Sequence, residues 1–223
     1  MNPFPRALWS VGPIVVTDSA FVAFVLSVVI VVSGIVALRI PRARVALEVG
    51  YEALERSIAQ MTNVDARPFV PLVVTLWVFL GAANLVGLVP GVAAPTRDLS
   101  LAVALAAVSF SAGHIHAIRT RGLAYLGQYV EPSPFLLPFN IIGEVSRTIA
   151  LALRLFGNML SGHLIVAIMV YVAGLLLPVP LMLLGVLTGL VQAYIFGVLT
   201  LVFAASSIRE VEAGAQRKEE ATP

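Results

Sequence analysis

Long apolar runs without a charged residue alternate with short charged segments along the chain. The runs cover residues 19–38, 68–96, 99–118 and 155–208, and a more broken apolar stretch covers residues 132–153. Because a helix rises about 1.5 Å per residue and the bilayer core is about 30 Å thick, about 20 residues cross once. The last run is too long for one crossing, and Pro178 and Pro180 are expected to break it. The predicted spans are residues 14–39, 67–89, 98–119, 134–177 and 181–209.

Residues 41–63 follow a different pattern, because apolar positions such as Val45 and Leu54 alternate with charged ones such as Arg44 and Glu55. Glu52 and Arg56 are four residues apart, in the order that supports a helix. This segment is too polar to span. It predicts an amphipathic helix in the membrane interface, with a soluble loop helix packed on a partner as the alternative.

Composition agrees with this pattern and excludes a soluble domain. The 223 residues are 59% hydrophobic and 12% charged, with a mean hydropathy of +0.98, against roughly 25% charged residues in ordinary soluble domains. The predicted fold is an all-α membrane protein, a single integral membrane domain over residues 1–223. It has five transmembrane helices and one interfacial amphipathic helix, and two long tilted helices form its last hairpin. Residues 210–223 are expected to be a short solvated tail.

Basic residues in the connecting loops predict the orientation. With five spans, one side of the membrane holds ten Arg or Lys residues and the other holds only Arg6 and Arg97. Since cytoplasmic loops carry the excess of positive charge, the N-terminus is expected outside and the C-terminus in the cytoplasm. The pI near 9.3 then reflects topology, and no nucleic-acid partner is expected. The start of the chain does not resemble a cleaved signal peptide.

Arg154 is the most unusual residue, because its helix is apolar on both sides and a guanidinium cannot lose its proton. Residues seven apart lie about 20° from the same direction on a helix, so Arg154 belongs to a mostly polar stripe. The stripe consists of Asn140, Glu144, Arg147, Leu151, Arg154, Asn158, Ser161 and Ile165. Glu144 and Arg147 can pair locally, which leaves the counter-charge of Arg154 to another subunit. A structural arginine paired within the chain, or one that reaches the interface, is the alternative.

The other polar residues in the spans allow two interpretations each. His163 is about 180° around the helix from Arg154, and it either relays protons or packs with a hydrogen bond. Gly185 and Gly189 form a small-xxx-small pair that lets a neighbouring helix approach. Gln192, on the same face, has an amide for interhelical contact.

Sequence features of chemical catalysis are absent. His114 and His116 are two residues apart, so they do not face one another on a helix, and no metal-ligand set accompanies them. The chain has no cysteine, and no phosphate-binding loop or nucleophile motif occurs. No metal, no cofactor and no catalysis by this chain itself are expected.

Several motifs together resemble subunit a of the rotary ATP synthases, the stator of the membrane motor. The run from Leu151 to Met159, L-A-L-R-L-F-G-N-M, is the most specific, and Ser161-Gly162-His163 follows it. Other matching stretches are Asn84 to Gly91, Pro95 to Leu101, Gly122 to Tyr129 leading into Pro132 to Pro134, Pro138 to Arg147, and Gln192 to Thr200.

The resemblance implies that Arg154 faces the ion-binding carboxylates of a rotating ring of c subunits. Asn158 and Gln192 match positions near that arginine, and Glu144 and His163 match positions lining two aqueous half-channels. Arg147, Asn140 and Ser161 are expected to share in ion translocation, and Gly185, Gly189, Asn84 and Asp98 in helix packing or the half-channels. The partners implied are the c-ring, b-type peripheral stalk subunits and the lipid bilayer, in a bacterial plasma membrane.

Two positions depart from the family pattern. Thr148 stands where proline is common. Many relatives also pair a carboxylate with a histidine between the positions of His163 and Gly185, and here only the histidine is present. Water beside Gly185 is therefore expected to complete the ion path. The coupling ion is H⁺ or Na⁺, since the residues that select it belong mostly to the c subunit. The alternative function is a secondary transporter that binds an anionic substrate through Arg154, although no internal repeat is found.

Overall fold

The computed structural model describes residues 7–11, 14–61, 67–87, 92, 94–122, 125, 135, 137–174 and 178–220, and only the helical path is described from residue 207 onward. Six α-helices account for most of these residues. They are α1 (Asp18–Arg39), α2 (Pro41–Met61), α3 (Val70–Val86), α4 (Leu99–Arg121), α5 (Leu137–Ala173) and α6 (Pro178–Glu220). Two 3-10 turns, Arg67–Phe69 and Pro95–Arg97, precede α3 and α4.

Five of these helices are long and apolar enough to cross a membrane, and α2 is not among them. This confirms the predicted class of helical membrane protein with one additional amphipathic helix. α5 and α6 have 37 and 43 residues, which corresponds to about 55 and 65 Å. Helices of this length must tilt in a hydrocarbon core of about 30 Å or extend beyond it.

A short β-hairpin precedes α1 and was not predicted. Strands β1 (Ala7–Val11) and β2 (Ile14–Thr17) pair antiparallel, with Trp9 opposite Val16. The first helix therefore begins at Asp18 and not at residue 14. Residues 14–17 are all β-branched, which favours a strand, and the Thr17 hydroxyl accepts a hydrogen bond from the Ala20 N–H at 3.2 Å, which caps the helix at this point.

The last two helices also differ from their predicted limits of 134–177 and 181–209. α5 begins at Leu137 and ends at Ala173, where Gly174 adopts a left-handed φ of +73° that glycine tolerates best. α6 begins at Pro178. Proline is favourable in the first turn of a helix, because the backbone N–H that it lacks would have no acceptor within the helix there. The helix continues to Glu220, so most of the predicted tail is helical.

The remaining predicted limits differ by a few residues. α4 begins after its cap, Asp98, and ends at Arg121 rather than 119. The helix predicted from residue 67 starts as a 3-10 turn and becomes α-helical at Val70. Several predicted positions lie outside the described residues: 62–63, 88–89 and 175–177, and the motif residues Pro90, Gly91, Leu123, Ala124, 126–129 and 132–134.

α6 occupies the centre of the fold and packs against α3, α4 and α5. A buried cluster joins these four helices through Leu76, Leu80, Ala102, Ala106, Leu151, Ala152, Leu155, Ala193 and Phe196. The Trp77 indole N–H donates to the Tyr194 carbonyl at 3.1 Å. This close approach of α3 to α6 requires Gly197, because any Cβ there would overlap the Trp77 ring.

The amphipathic helix α2 packs on its own chain. Ile58 is fully buried in a second cluster with Phe69, Val70, Val73, Leu201 and Ala204. The predicted Glu52–Arg56 ion pair forms at 3.0 Å, and Arg44 pairs with Glu48 at 2.8 Å on the same exposed surface. Ile58 therefore anchors α2 to the rest of the chain, whereas the apolar side chains of Val45, Leu47 and Val49 remain exposed.

Candidate ion-translocation site

The core packing of α5 determines where Arg154 lies. Leu151, Ala152 and Leu155 are buried against the neighbouring helices, whereas Arg154 is exposed on a part of the helix surface that the core does not cover. Within the described parts of the chain, Arg154 makes no hydrogen bond or ion pair. Its charge is therefore presented on an open face of α5.

The predicted polar stripe follows the edge between the packed and open faces of α5. Asn140, Glu144 and Asn158 are half-buried, and Arg147 and Ser161 are exposed. Arg147 donates to Glu144 at 3.3 Å, and its guanidinium also lies 4.8 Å from the centre of the Phe203 ring of α6. The local pairing of Glu144 with Arg147 leaves Arg154 as the stripe's cation with no described partner in the chain.

His163 lines a cavity of about 60 Å³ between α3, α5 and α6, hereafter the His163 cavity. A water molecule needs roughly 10–15 Å³ of such volume, so the cavity can hold several. The His163 Nε2 atom is buried and has no hydrogen-bond partner among the described residues. The lining residues are Asn84, Gly87, Asn158, Met159, Gly162, His163, Val166, Leu181, Met182, Gly185 and Val186.

Gly185 and Gly189 have different surroundings. Gly189 lies against Asn84, whose side chain would be 3.1 Å from an added Cβ, and the Asn84 amide donates to the Gly189 carbonyl at 2.6 Å. No described atom lies within 4 Å of a Cβ at Gly185, which instead lines the cavity. Gly189 therefore permits close helix packing, and Gly185 leaves open space beside His163.

Gln192 is 7% exposed, and its Nε2 atom has no partner in the part of the chain that the structure describes. A buried amide donor without a partner is costly. Water or a group from another chain would satisfy it. Like His163, Gln192 carries hydrogen-bonding capacity that its described neighbours do not use.

A polar network that the sequence did not predict continues from the cavity to the start of α1. The Thr96 hydroxyl donates to the Asn84 side-chain oxygen at 3.2 Å, and next to Thr96 Arg97 pairs with Asp18 at 3.0 Å. Asp98 caps α4 by accepting from the Ser100 N–H at 3.0 Å. Its other carboxylate oxygen accepts from Thr17 at 3.0 Å. The sequence contained one indication of this network, because Arg97 is one of only two basic residues predicted on the outer side of the membrane.

His114 contacts the rings of Phe110 and Tyr125, and His116 contacts the ring of Phe69. A search of the described residues finds no group of three or more His, Cys, Asp or Glu that could hold a metal ion.

Arg154 does not line the His163 cavity. A transporter that binds an anion through Arg154 between its own helices therefore has no support from this geometry.

The fold and site define a multi-pass helical membrane protein with an exposed arginine on one long helix. The same helix borders a largely apolar cavity that also contains the polar side chains of His163, Asn84 and Asn158. The profile of the family described as ATP synthase A chain matches residues 15–205. The chain belongs to this family, and the resemblance inferred from the R-L-F-G-N motif is confirmed.

Similar proteins include two that cover almost the whole chain. ATP synthase subunit a 2 of Pelobacter propionicus is 43% identical over 97% of this chain and 98% of its own. ATP synthase subunit a 1 of Hahella chejuensis is 42% identical over 90% and 88%. ATP synthase subunit a 2 of a Picosynechococcus species is 47% identical over 72% and 70%.

The contact of Asn84 with Gly189 leads to a prediction about stability. Gly189→Ala places a methyl group against Asn84 and is expected to destabilise the protein by about 1–3 kcal/mol, the usual cost of overpacking. Thermal unfolding of the purified full chain in detergent measures this. Gly185→Ala is the matched control and is expected to leave the midpoint unchanged or slightly raised. Equal midpoints for the two variants would contradict the assigned packing.

Proposed function

We propose that this chain is the membrane stator subunit of an ATP synthase and passes H⁺ or Na⁺ to and from carboxylates on a rotating ring of c subunits. The observation that carries the proposal is the exposed Arg154, which has no partner among the described residues of its own chain. A cation at mid-membrane costs about 2.5–3.5 kcal/mol on insertion scales and more in simulations. A carboxylate on an adjacent subunit would remove that cost.

The chemistry follows from the permanent charge of arginine. A nearby guanidinium lowers the pKa of a carboxylate because it stabilises the ionised form. Each ring carboxylate that reaches Arg154 would release its ion, and a fixed cation would also keep ions from passing directly between the two sides. Ions would then cross only on the ring, which couples their flow to rotation and so to ATP synthesis or hydrolysis. The chain itself would catalyse no reaction.

The polar residues of α5 support two separate water paths. Glu144 and His163 are 19 residues apart, or about 28 Å along a helix, and Arg154 lies near the midpoint. His163, Asn158 and Gly185 line the cavity towards one end of the helix. Glu144, Arg147 and Asn140 lie towards the other end. We assign the His163 cavity to the outer half-channel and the Glu144 end to the inner one.

Membrane orientation and partners complete the proposal. The loop charges favour an N-terminus outside and a C-terminus in the cytoplasm, in a bacterial plasma membrane. The c-ring would cover the open face of α5 and the adjoining part of α6. The b-type peripheral stalk would hold the chain against rotation, and no nucleic acid would be bound.

Arg154→Ala is expected to abolish ATP-driven ion pumping in membrane vesicles that contain the complete complex, while ATP hydrolysis by the soluble head continues. Without the cation, ring carboxylates are not forced to release their ions. Ion uptake and ATP hydrolysis are measured on the same vesicles. Arg56→Ala, which removes an exposed surface ion pair on α2, is the control and should pump normally. Full coupled pumping by Arg154→Ala would refute the proposed function.

His163→Leu is expected to slow ion transport without preventing assembly. The loss of one hydrogen-bonding group on a water path costs about 1 kcal/mol, which corresponds to about a fivefold lower rate. The rate is measured per assembled complex in vesicles. Met182→Leu alters the same cavity without removing a hydrogen bond and should leave the rate unchanged. An unchanged rate in His163→Leu would make this histidine a packing residue.

A further inference from the structure

The Asp18–Arg97 ion pair is the most buried ion pair in the described part of the chain. The Arg97 and Asp18 side chains are 14% and 24% exposed, whereas the Arg44–Glu48 pair is more than half exposed. The Arg97 Nε atom is also buried and makes no hydrogen bond to a described residue. This pair is therefore largely buried, unlike the surface pairs of α2.

The turn that carries Arg97 lies next to the His163 cavity. Arg97 belongs to the Pro95–Arg97 turn, which contacts α1, α3, α4 and α5. The neighbouring Thr96 donates to Asn84, which lines the cavity. Among the described residues, the charged and titratable groups of this network and cavity are Asp18, Arg97, Asp98 and His163.

A second contact holds this arrangement in place. Thr17, directly before Asp18, donates to the Asp98 carboxylate at 3.0 Å, and Asp98 also accepts two bonds from Ser100 at 3.0 and 2.6 Å. The start of α1 is thus bonded both to the turn and to the cap of α4. The Thr17 contact therefore keeps the backbone at Asp18 close to the turn that carries Arg97.

A fixed charge beside a narrow water-filled path changes the local concentration of mobile ions. Charged clefts with low-dielectric walls alter it by a factor of about 10 or more. An arginine alone at this position would repel any cation that enters the cavity. A carboxylate at 3.0 Å cancels most of that field.

We propose that Asp18 and Arg97 set the electrostatic potential at the outer mouth of the His163 cavity, and that Asp18 keeps this mouth accessible to the coupling cation. The inference rests on the proposed function, because it assumes that ions reach the ring through this cavity. Both are positioning residues, since they act on the ion through their charge.

The test uses the complete ATP synthase in proteoliposomes, with ATP synthesis measured as the outer concentration of H⁺ or Na⁺ is varied at a constant driving force. Asp18→Asn unmasks Arg97 and is expected to raise the half-saturating ion concentration about tenfold. Arg97→Gln leaves Asp18 negative and should lower it. The double variant should return close to the original value. Opposite shifts from removing either partner identify an electrostatic role.

A purely structural ion pair would give a different result, because the loss of either partner would then impair assembly or the maximal rate in the same direction. Shifts of equal sign, or a double variant as impaired as Asp18→Asn, would overturn the proposal. Rates are expressed per assembled complex, and Glu52→Gln, which breaks an exposed pair, should behave as the unmodified protein. Arg154→Ala in the same assay separates the two claims: if it is uncoupled while Asp18→Asn is normal, only this inference fails.

Discussion

The fold places a permanent positive charge on the open face of a membrane helix, and this charge needs a counter-charge or water from outside the described part of the chain. Arg154 cannot lose its proton and has no described partner within the chain, whereas its neighbours Leu151 and Leu155 are buried in the core. Such a helix is stable in a membrane only if an anion or water meets the charge from outside. In the proposed complex, that anion is a carboxylate of the c-ring.

The polar groups on the packed side of α5 have a different physical role. Around the His163 cavity, Asn84 connects α3 to α6 through the Gly189 carbonyl, and Gly185 leaves open space. Among the described residues, the Nε2 atoms of His163 and Gln192 have no hydrogen-bond partner, although buried polar groups seldom remain without one. His163 borders the cavity, which is large enough to hold water, and water or another chain would satisfy Gln192.

The number and class of the helices could be predicted from the sequence, because apolar runs of bilayer length are characteristic of membrane helices. The Glu144–Arg147 pair was also predicted, since three-residue spacing alone brings the side chains together. The β-hairpin before α1 was missed because its apolar strand, Ile14–Thr17, was included in the first predicted span, residues 14–39. The Asp18–Arg97 pair was missed because its partners are 79 residues apart and meet only through the packing of the Pro95–Arg97 turn. Contacts of that kind depend on the tertiary fold and not on local spacing.

The face of α5 that meets the ring can be measured directly by cross-linking, because this chain contains no cysteine. Ala150 lies one turn before Arg154 on the exposed side, whereas Ala152, at nearly the same depth, is buried in the core. In the complete complex, Ala150→Cys and Ala152→Cys are each combined with a cysteine beside the ion-binding carboxylate of the c subunit. If the Arg154 face meets the ring, a disulfide forms with Ala150→Cys and almost none forms with Ala152→Cys. Cross-linking through Ala152→Cys alone would contradict this orientation of α5.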